Sequence, residues 1–238
     1  MMQVLVTRPE PDASEFAALC RENGLASVLC PLMEVVFETA AVDLSGVGAL
    51  AFTSANGVRA YLANCADKSL PVFAVGEATA QTAAEAGFGA VKIAGGDVEA
   101  LAGLIGEHRD SFSGEVLHIA GAARAGDLIA ALNAQRIAAR RMTLYTMREA
   151  EVLPPAILSM DAGWAAFFSP RTAALFAKLV HSAGAGERFG NMRAACLSDA
   201  VAEAAGAMAW RSVDVAGARN AAAMVALMKD LESQTRGA

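Results

Sequence analysis

Most of the motifs that usually identify an enzyme are missing from this sequence. It contains no Gly-x-Gly-x-x-Gly and no Gly-x-x-x-x-Gly-Lys-Ser/Thr, so nothing signals the glycine-rich backbone that wraps a dinucleotide or a nucleoside triphosphate. It has no Gly-x-Ser-x-Gly elbow for a serine hydrolase. Its four cysteines, Cys20, Cys30, Cys65 and Cys196, form no Cys-x-x-Cys pair, and read as small core residues of a reducing compartment. The three histidines, His108, His118 and His181, stand far apart and away from the cysteines, so no metal site is expected. No apolar run approaches the roughly 20 residues of a membrane span. The opening Met1-Met2-Gln3-Val4-Leu5-Val6-Thr7-Arg8 lacks a basic stretch followed by a long apolar one, so a leader is not expected. Only 18% of residues are charged and the formal net charge is −6, which argues against nucleic acid or an anionic membrane as a partner. The expectation is a soluble, cytoplasmic, cofactor-free protein.

What is abundant is apolar residue, 55% of the chain, much of it alanine. At 238 residues there is length for two small domains. The most informative stretch is Leu50-Ala51-Phe52-Thr53-Ser54-Ala55-Asn56-Gly57-Val58-Arg59-Ala60-Tyr61-Leu62. A short apolar run stops at Thr53-Ser54 and a helical pattern follows, so the reading is buried strand, tight turn, helix. Ser54 or Asn56 is the candidate N-cap. Such a turn aims free backbone N–H groups and the positive end of a helix dipole past the sheet edge, where an anion is stabilised.

The unit recurs. Ala165-Ala166-Phe167-Phe168-Ser169-Pro170-Arg171-Thr172 answers Leu50 onward, and Val4-Leu5-Val6-Thr7-Arg8-Pro9 is a third form. Val72-Phe73-Ala74-Val75-Gly76-Glu77-Ala78-Thr79-Ala80 is answered by Ala195-Cys196-Leu197-Ser198-Asp199-Ala200-Val201. Four elements in the same order, displaced by roughly 110 to 125 residues, make an internal duplication. Alternating strands and helices call for parallel sheets covered on both faces, with ligands outside the carboxyl ends of the strands. Periodicity alone would divide the chain in sequence order, at 1–108 and 112–238.

In their order and spacing these motifs resemble the uroporphyrinogen-III synthase family. The matching residues are Val6-Thr7-Arg8-Pro9, Phe52-Thr53-Ser54-Ala55-Asn56-Gly57-Val58, Ala74-Val75-Gly76-Glu77-Ala78-Thr79-Ala80, Tyr145, and Phe167-Phe168-Ser169-Pro170-Arg171. The resemblance implies an α/β fold of two flavodoxin-like, doubly wound parallel-sheet domains joined by a two-stranded connector. The first domain would hold residues 1–34 plus 148–238 and the second 38–144, with connectors near 31–37 and 143–148. It also implies a cyclising lyase without metal or organic cofactor, monomeric, which closes the linear tetrapyrrole hydroxymethylbilane and inverts its last pyrrole ring. Transient contact with the preceding pathway enzyme is a further expectation.

That substrate carries eight carboxylates, so many anion contacts are required and no covalent group. The expected substrate-binding residues are Thr7, Arg8, Thr53, Ser54, Gly76, Thr79, Arg124, Ser169, Arg171 and Ser198, which offer backbone amides, hydroxyls or guanidinium groups. Tyr145 is the expected proton donor to the leaving hydroxyl. Plainer readings stand beside these: Thr53 and Ser54 as simple caps, Gly76 as a tight turn, Tyr145 as cross-strand packing, Arg8 and Arg171 as solvated charges. At Ser198-Asp199-Ala200-Val201 the chain departs from the family's hydroxyl-rich Gly-Pro-Thr-Thr-like turn, and Asp199 adds negative charge there. A non-catalytic two-domain module that binds a small anion is the competing class.

Overall fold

In the computed structural model, which describes residues 3–123, 126–160 and 162–236, strands and helices alternate through almost the whole chain. The first half runs β1 (Gln3–Val6), α1 (Asp12–Glu22), β2 (Ala26–Leu29), β3 (Met33–Phe37), β4 (Val47–Phe52), α2 (Ala55–Asn64), β5 (Val72–Ala74), α3 (Glu77–Glu85), β6 (Val91–Ile93) and α4 (Val98–Glu107). The second half runs β7 (Glu115–Gly121), α5 (Leu128–Ala134), β8 (Ala139–Glu149), α6 (Pro155–Leu158), β9 (Gly163–Phe167), α7 (Pro170–Ser182), β10 (Met192–Cys196), α8 (Asp199–Ala205), β11 (Ser212–Val215) and α9 (Ala221–Arg236). Pro31, which has no N–H for a ladder, falls between β2 and β3.

The chain divides into two compact units, Met1–Glu34 with Arg148–Ala238, and Val35–Met147. In the first, the sheet order is β2-β1-β9-β10-β11. Its registers are parallel throughout, with Val4 opposite both Ser27 and Trp164, Ala165 opposite Ala194, and Ala195 opposite Asp214. Numbered within the unit this is 2-1-3-4-5, the flavodoxin order. One face is covered by α1 and α9, which bury Phe16, Cys20, Met224 and Met228 against Val4, Val6 and Trp164. Phe167 and Phe176, at 5.5 Å between centroids, belong to an aromatic group with Phe189 and Trp210.

In the second unit the sheet order is β3-β8-β7-β4-β5-β6, with β4 parallel to β5 and β7, β5 to β6, and β7 to β8. Every residue of β4 is buried, the continuous apolar reading expected of a parallel strand covered on both sides. Phe52, Tyr61 and Phe88 pack with Leu144 on one face, and Phe73, Leu101, Ile105 and Leu132 on the other. Both β3 and β8 run across the boundary between the units, and they are hydrogen-bonded neighbours. The Tyr145 segment is therefore part of one eleven-residue strand.

The duplication and the units cut the chain differently. β1 begins at residue 3 and β7 at 115; α4 begins at 98 and α9 at 221. The second unit starts with strands of the first copy, β4, β5 and β6, and finishes with strands of the second, β7 and β8. Apart from the added edge strand β3, and starting from β7, its order is also 2-1-3-4-5, so these five strands are a circularly permuted version of the first unit. The division at 1–108 and 112–238 read from periodicity is corrected by this. A repeat fixes which elements are alike, but parallel strands from either copy fit the same sheet position, so pairing is left open. Sequence reading also misses β6 and β11, edge strands of three and four residues with little buried apolar side chain.

Candidate functional site

Because every strand except β3, which runs antiparallel to β8, is parallel to its neighbours, the turns that follow the parallel strands gather at one edge of each sheet. The topological switch point is where consecutive strands leave in opposite directions, and a ligand is accommodated there. In the first unit it lies between β1 and β9, and in the second between β7 and β4. Thr7 and Arg8 follow β1 and Ser169 and Arg171 follow β9, at the first; Thr53 and Ser54 follow β4, at the second.

In the second unit Ser54 is the N-cap of α2, its hydroxyl accepting from Asn56 N–H at 3.2 Å. Asn56 is not the cap; its side-chain oxygen accepts from Arg59 at 2.9 Å. Gly57 sets how close the helix lies, because a Cβ there would come within 3.0 Å of the Ile119 carbonyl oxygen on β7. The first turn of α2 carries no acidic residue, so its dipole is not offset from within. Just before it, Thr53 Oγ1 lies 3.1 Å from Nε2 of His118 on β7. His118 is 7% exposed and its Nδ1 has no hydrogen-bond partner among the described residues. Burial, and then the charge of Arg141, push its pKa down from 6.5 to about 4, against a smaller opposing effect of Asp127. The imidazole is therefore neutral at physiological pH. Gly76 caps α3 without a side chain and Thr79 is buried in that helix's first turn, next to Glu77. Space is open around the Gly76 Cα, so no close approach demands glycine there. Arg124 lies outside the described residues.

Tyr145 reaches the same edge by an irregularity. Ala120 pairs with Thr143 but Gly121 pairs with Tyr145, which leaves Leu144 as an extra residue in β8. A bulge of this kind re-aims the side chains beside it. Here Leu144 and Tyr145 both enter the cluster of Phe52 and Val58. The Tyr145 ring lies over the end of β7, where a Cβ on Gly121 would be 2.7 Å from its ring carbons. The phenol oxygen makes no hydrogen bond among the described residues, and the residue is 9% exposed.

In the first unit Ser169 caps α7, accepting from Thr172 N–H at 3.2 Å and sharing a 2.8 Å contact with the Thr172 hydroxyl. Pro170 occupies the first helical position, where its missing N–H is not needed, and no acidic residue follows in the first turn. Thr7 is fully buried and its hydroxyl donates to the Ala166 carbonyl at 2.8 Å. That side chain ties β1 to β9 and presents nothing outward. Arg8 lies 4.4 Å over the Phe168 ring and pairs with Asp12 at 2.6 Å. Arg171 pairs with Glu149 at 2.9 Å. Both arginines are thus oriented and already partnered, unlike freely solvated charges. Ser198 caps the seven-residue α8 without a side-chain bond, and Asp199 opens that helix.

The structure brings Ser54 and Ser169 to equivalent positions in the two units, each heading a helix of ten or more residues with an acid-free first turn. It separates them in kind from the Gly76 and Ser198 turns, where Glu77 and Asp199 already offset the dipole. Sequence reasoning misses His118, Gly121 and the stacking role of Phe168. For Gly121 there was a signal, a glycine closing an otherwise bulky buried strand. For His118 there was none, since a histidine on a buried strand looks the same whether or not it faces a turn. Among the described residues, no three His, Cys, Asp or Glu side chains gather in a way that would hold a metal ion, and no helix is long and apolar enough to cross a membrane.

With this geometry in place, comparison with known proteins is specific. Residues 14–226 match the family model described as uroporphyrinogen-III synthase HemD. Among solved structures, the chain is similar to uroporphyrinogen-III synthetase from Helicobacter pylori, at 18% identity and a TM-score of 0.64, over 97% of this chain and 99% of that one. It is also similar to a mutant uroporphyrinogen III synthase from the extremely thermophilic bacterium Thermus thermophilus, at 14% identity and a TM-score of 0.53, over the whole of both chains. At those identities the structural likeness shows the fold. No curated protein matches in sequence.

Proposed function

The chain belongs to the uroporphyrinogen-III synthase family, and from that premise we propose that it converts hydroxymethylbilane to uroporphyrinogen III, a cyclising lyase of haem biosynthesis. The observation that carries the reading is the family match over residues 14–226. The paired Ser54 and Ser169 turns support it, since a polycarboxylate needs several fixed donors and these supply them in both units. Each contact from a helix N-terminus contributes about 0.3–1 kcal/mol when exposed and more when water is excluded. Several together hold a polyanion against a net charge of −6.

The chemistry asks little else. Protonation of the terminal hydroxyl lets it leave as water, giving a cation-like azafulvene. An already substituted carbon of the last ring attacks it, and the spiro intermediate fragments and recloses with that ring inverted. Loss of a ring proton restores the pyrrole and returns what the acid gave. In this reading Tyr145 is the proton donor and acceptor, a phenol placed at the carboxyl end of β7. The Thr53-Ser54 and Ser169 turns anchor substrate carboxylates, with secondary contacts from the Gly76, Thr79 and Ser198 turns. Arg8 and Arg171 would exchange Asp12 and Glu149 for substrate, and Arg124 would add a third cation. Thr7 acts by holding β1 to β9. Selectivity is conformational, because the uncatalysed closure gives the non-inverted isomer and the protein has only to bring the other carbon nearest.

The same reading makes the protein a cytoplasmic monomer that takes its labile substrate in transient contact with the enzyme that makes it; four unpaired cysteines fit such a compartment. The test is conversion of freshly generated hydroxymethylbilane, with isomers I and III separated by chromatography. Formation of isomer III above the buffer control is expected. Unchanged isomer I would leave the fold to the competing anion-binding module.

A further inference from the structure

The His118–Thr53 pair is not explained by packing alone. A histidine on a central strand, 7% exposed, bonds through Nε2 to the hydroxyl that immediately precedes the Ser54 cap, and leaves Nδ1 without a partner among the described residues. Two arrangements satisfy the 3.1 Å contact. If Thr53 donates to Nε2, the ring proton is on Nδ1, a buried N–H with nothing to accept it. If Nε2–H donates to Thr53, the unpaired atom is a lone pair. An orphaned buried N–H is rarer in folded proteins than an unpaired acceptor, and Arg141 favours the second arrangement. It lies opposite His118 in the ladder, and its guanidinium is fixed at the end of β7 by bonds to the Gly121 carbonyl and, at 2.8 Å, to Thr143. β8 and β4 flank β7 on opposite sides, so Arg141 belongs to the side away from Thr53, and a cation there favours a lone pair over an N–H on the ring nitrogen turned from Thr53. Among the described residues, Arg141 and Asp127 are the charged groups that act on the ring, and the cation has the larger effect.

We infer that His118 is a positioning residue for the reaction: as the neutral Nε2–H tautomer it donates to Thr53 Oγ1, which turns the Thr53 hydroxyl hydrogen outward as a donor to a substrate carboxylate beside the α2 N-terminus. Threonine hydroxyls rotate to suit their partners. A fixed donor behind the oxygen removes that freedom and makes the group one-directional, so the Thr53-Ser54 turn offers hydrogens only. The inference rests on the synthase reading for its ligand, but not for its tautomer.

The tautomer is read first, by two-bond proton–nitrogen correlation on histidine-labelled protein at neutral pH, without substrate, with the His118 signals assigned through their loss in His118→Gln. A protonated Nε2 with an unprotonated Nδ1 is expected; the Nδ1–H form or the imidazolium overturns the proposal. Kinetics then separate positioning from mere structure. His118→Gln places an amide N–H where Nε2 was and should keep KM within about two-fold. His118→Asn, too short to reach, and Thr53→Val should each raise KM about ten-fold with kcat little changed, the effect of one lost hydrogen bond to a charged group. Equal KM values for the Gln and Asn variants, or a Thr53→Val enzyme with unchanged KM, contradict it. A wild-type protein inactive toward hydroxymethylbilane removes the synthase reading, while the tautomer result still stands or falls by itself.

Discussion

The ring of Tyr145 occupies the space that a side chain on Gly121 would need: a Cβ there would lie 2.7 Å from two of its carbons and 3.1 Å from its hydroxyl. The extra residue Leu144 turns the tyrosine onto this face, and the bare glycine lets it settle there. Gly121→Ala is therefore expected to displace the ring, with a loss of stability of about 1–3 kcal/mol from overpacking and a fall in kcat larger than any rise in KM. Steady-state kinetics and a denaturant titration on the same preparation check both parts. An alanine enzyme with full kcat would mean that the phenol need not sit over β7.

Tyr145→Phe keeps the packing and removes only the phenol hydroxyl, the proposed proton donor. A drop in kcat of about 10²-fold is expected, at the low end of general acid–base contributions, with KM nearly unchanged. Single-turnover measurements distinguish this from slow product release.

Thr7 illustrates the difference between a motif position and a contact. Its hydroxyl is spent on the Ala166 carbonyl inside the protein. Thr7→Val should destabilise by about 1–3 kcal/mol, the usual result of leaving a buried acceptor unpaired, and leave KM where it was. Urea unfolding against substrate titration tests the pair of outcomes.

Stability should depend on pH through His118. Its pKa in the folded protein, about 4, is below the ordinary 6.5, so between these values the unfolded chain binds more protons and folding stability rises with pH. The full stability is present above about pH 6.5 and is lost progressively toward pH 4, by an amount of order 3 kcal/mol. His118→Gln should flatten that part of the profile. Thermal melts at several pH values show whether wild type and variant converge in acid.

How much of this was legible in the residues depended on whether the information was local. The Ser54 and Ser169 caps follow from a short apolar run stopping at a hydroxyl, and their repetition announced two similar sheets. Pro31 marked a break between strands because it has no N–H to give. The exchange of elements between the two copies was not readable from periodicity, since β9 and β4 are equally good neighbours for β1 until the loops choose. The bulge at Leu144 left no trace, because a single extra residue in an apolar strand changes no pattern until a partner strand is beside it. Arg8 and Arg171 were recognisable as turn residues, but their partners Asp12 and Glu149 are a helical turn and a whole strand connection away.

The most direct test of the account is the isomer ratio formed from hydroxymethylbilane under enzyme excess by two variants, Ser54→Ala/Ser169→Ala and Tyr145→Phe. If backbone and hydroxyl donors of the paired turns hold the chain in the inverting shape, the double alanine variant shifts its product toward isomer I, while the phenylalanine variant still gives isomer III, only more slowly. A double variant with the wild-type ratio, or a phenylalanine variant that yields isomer I as readily as buffer does, would contradict it.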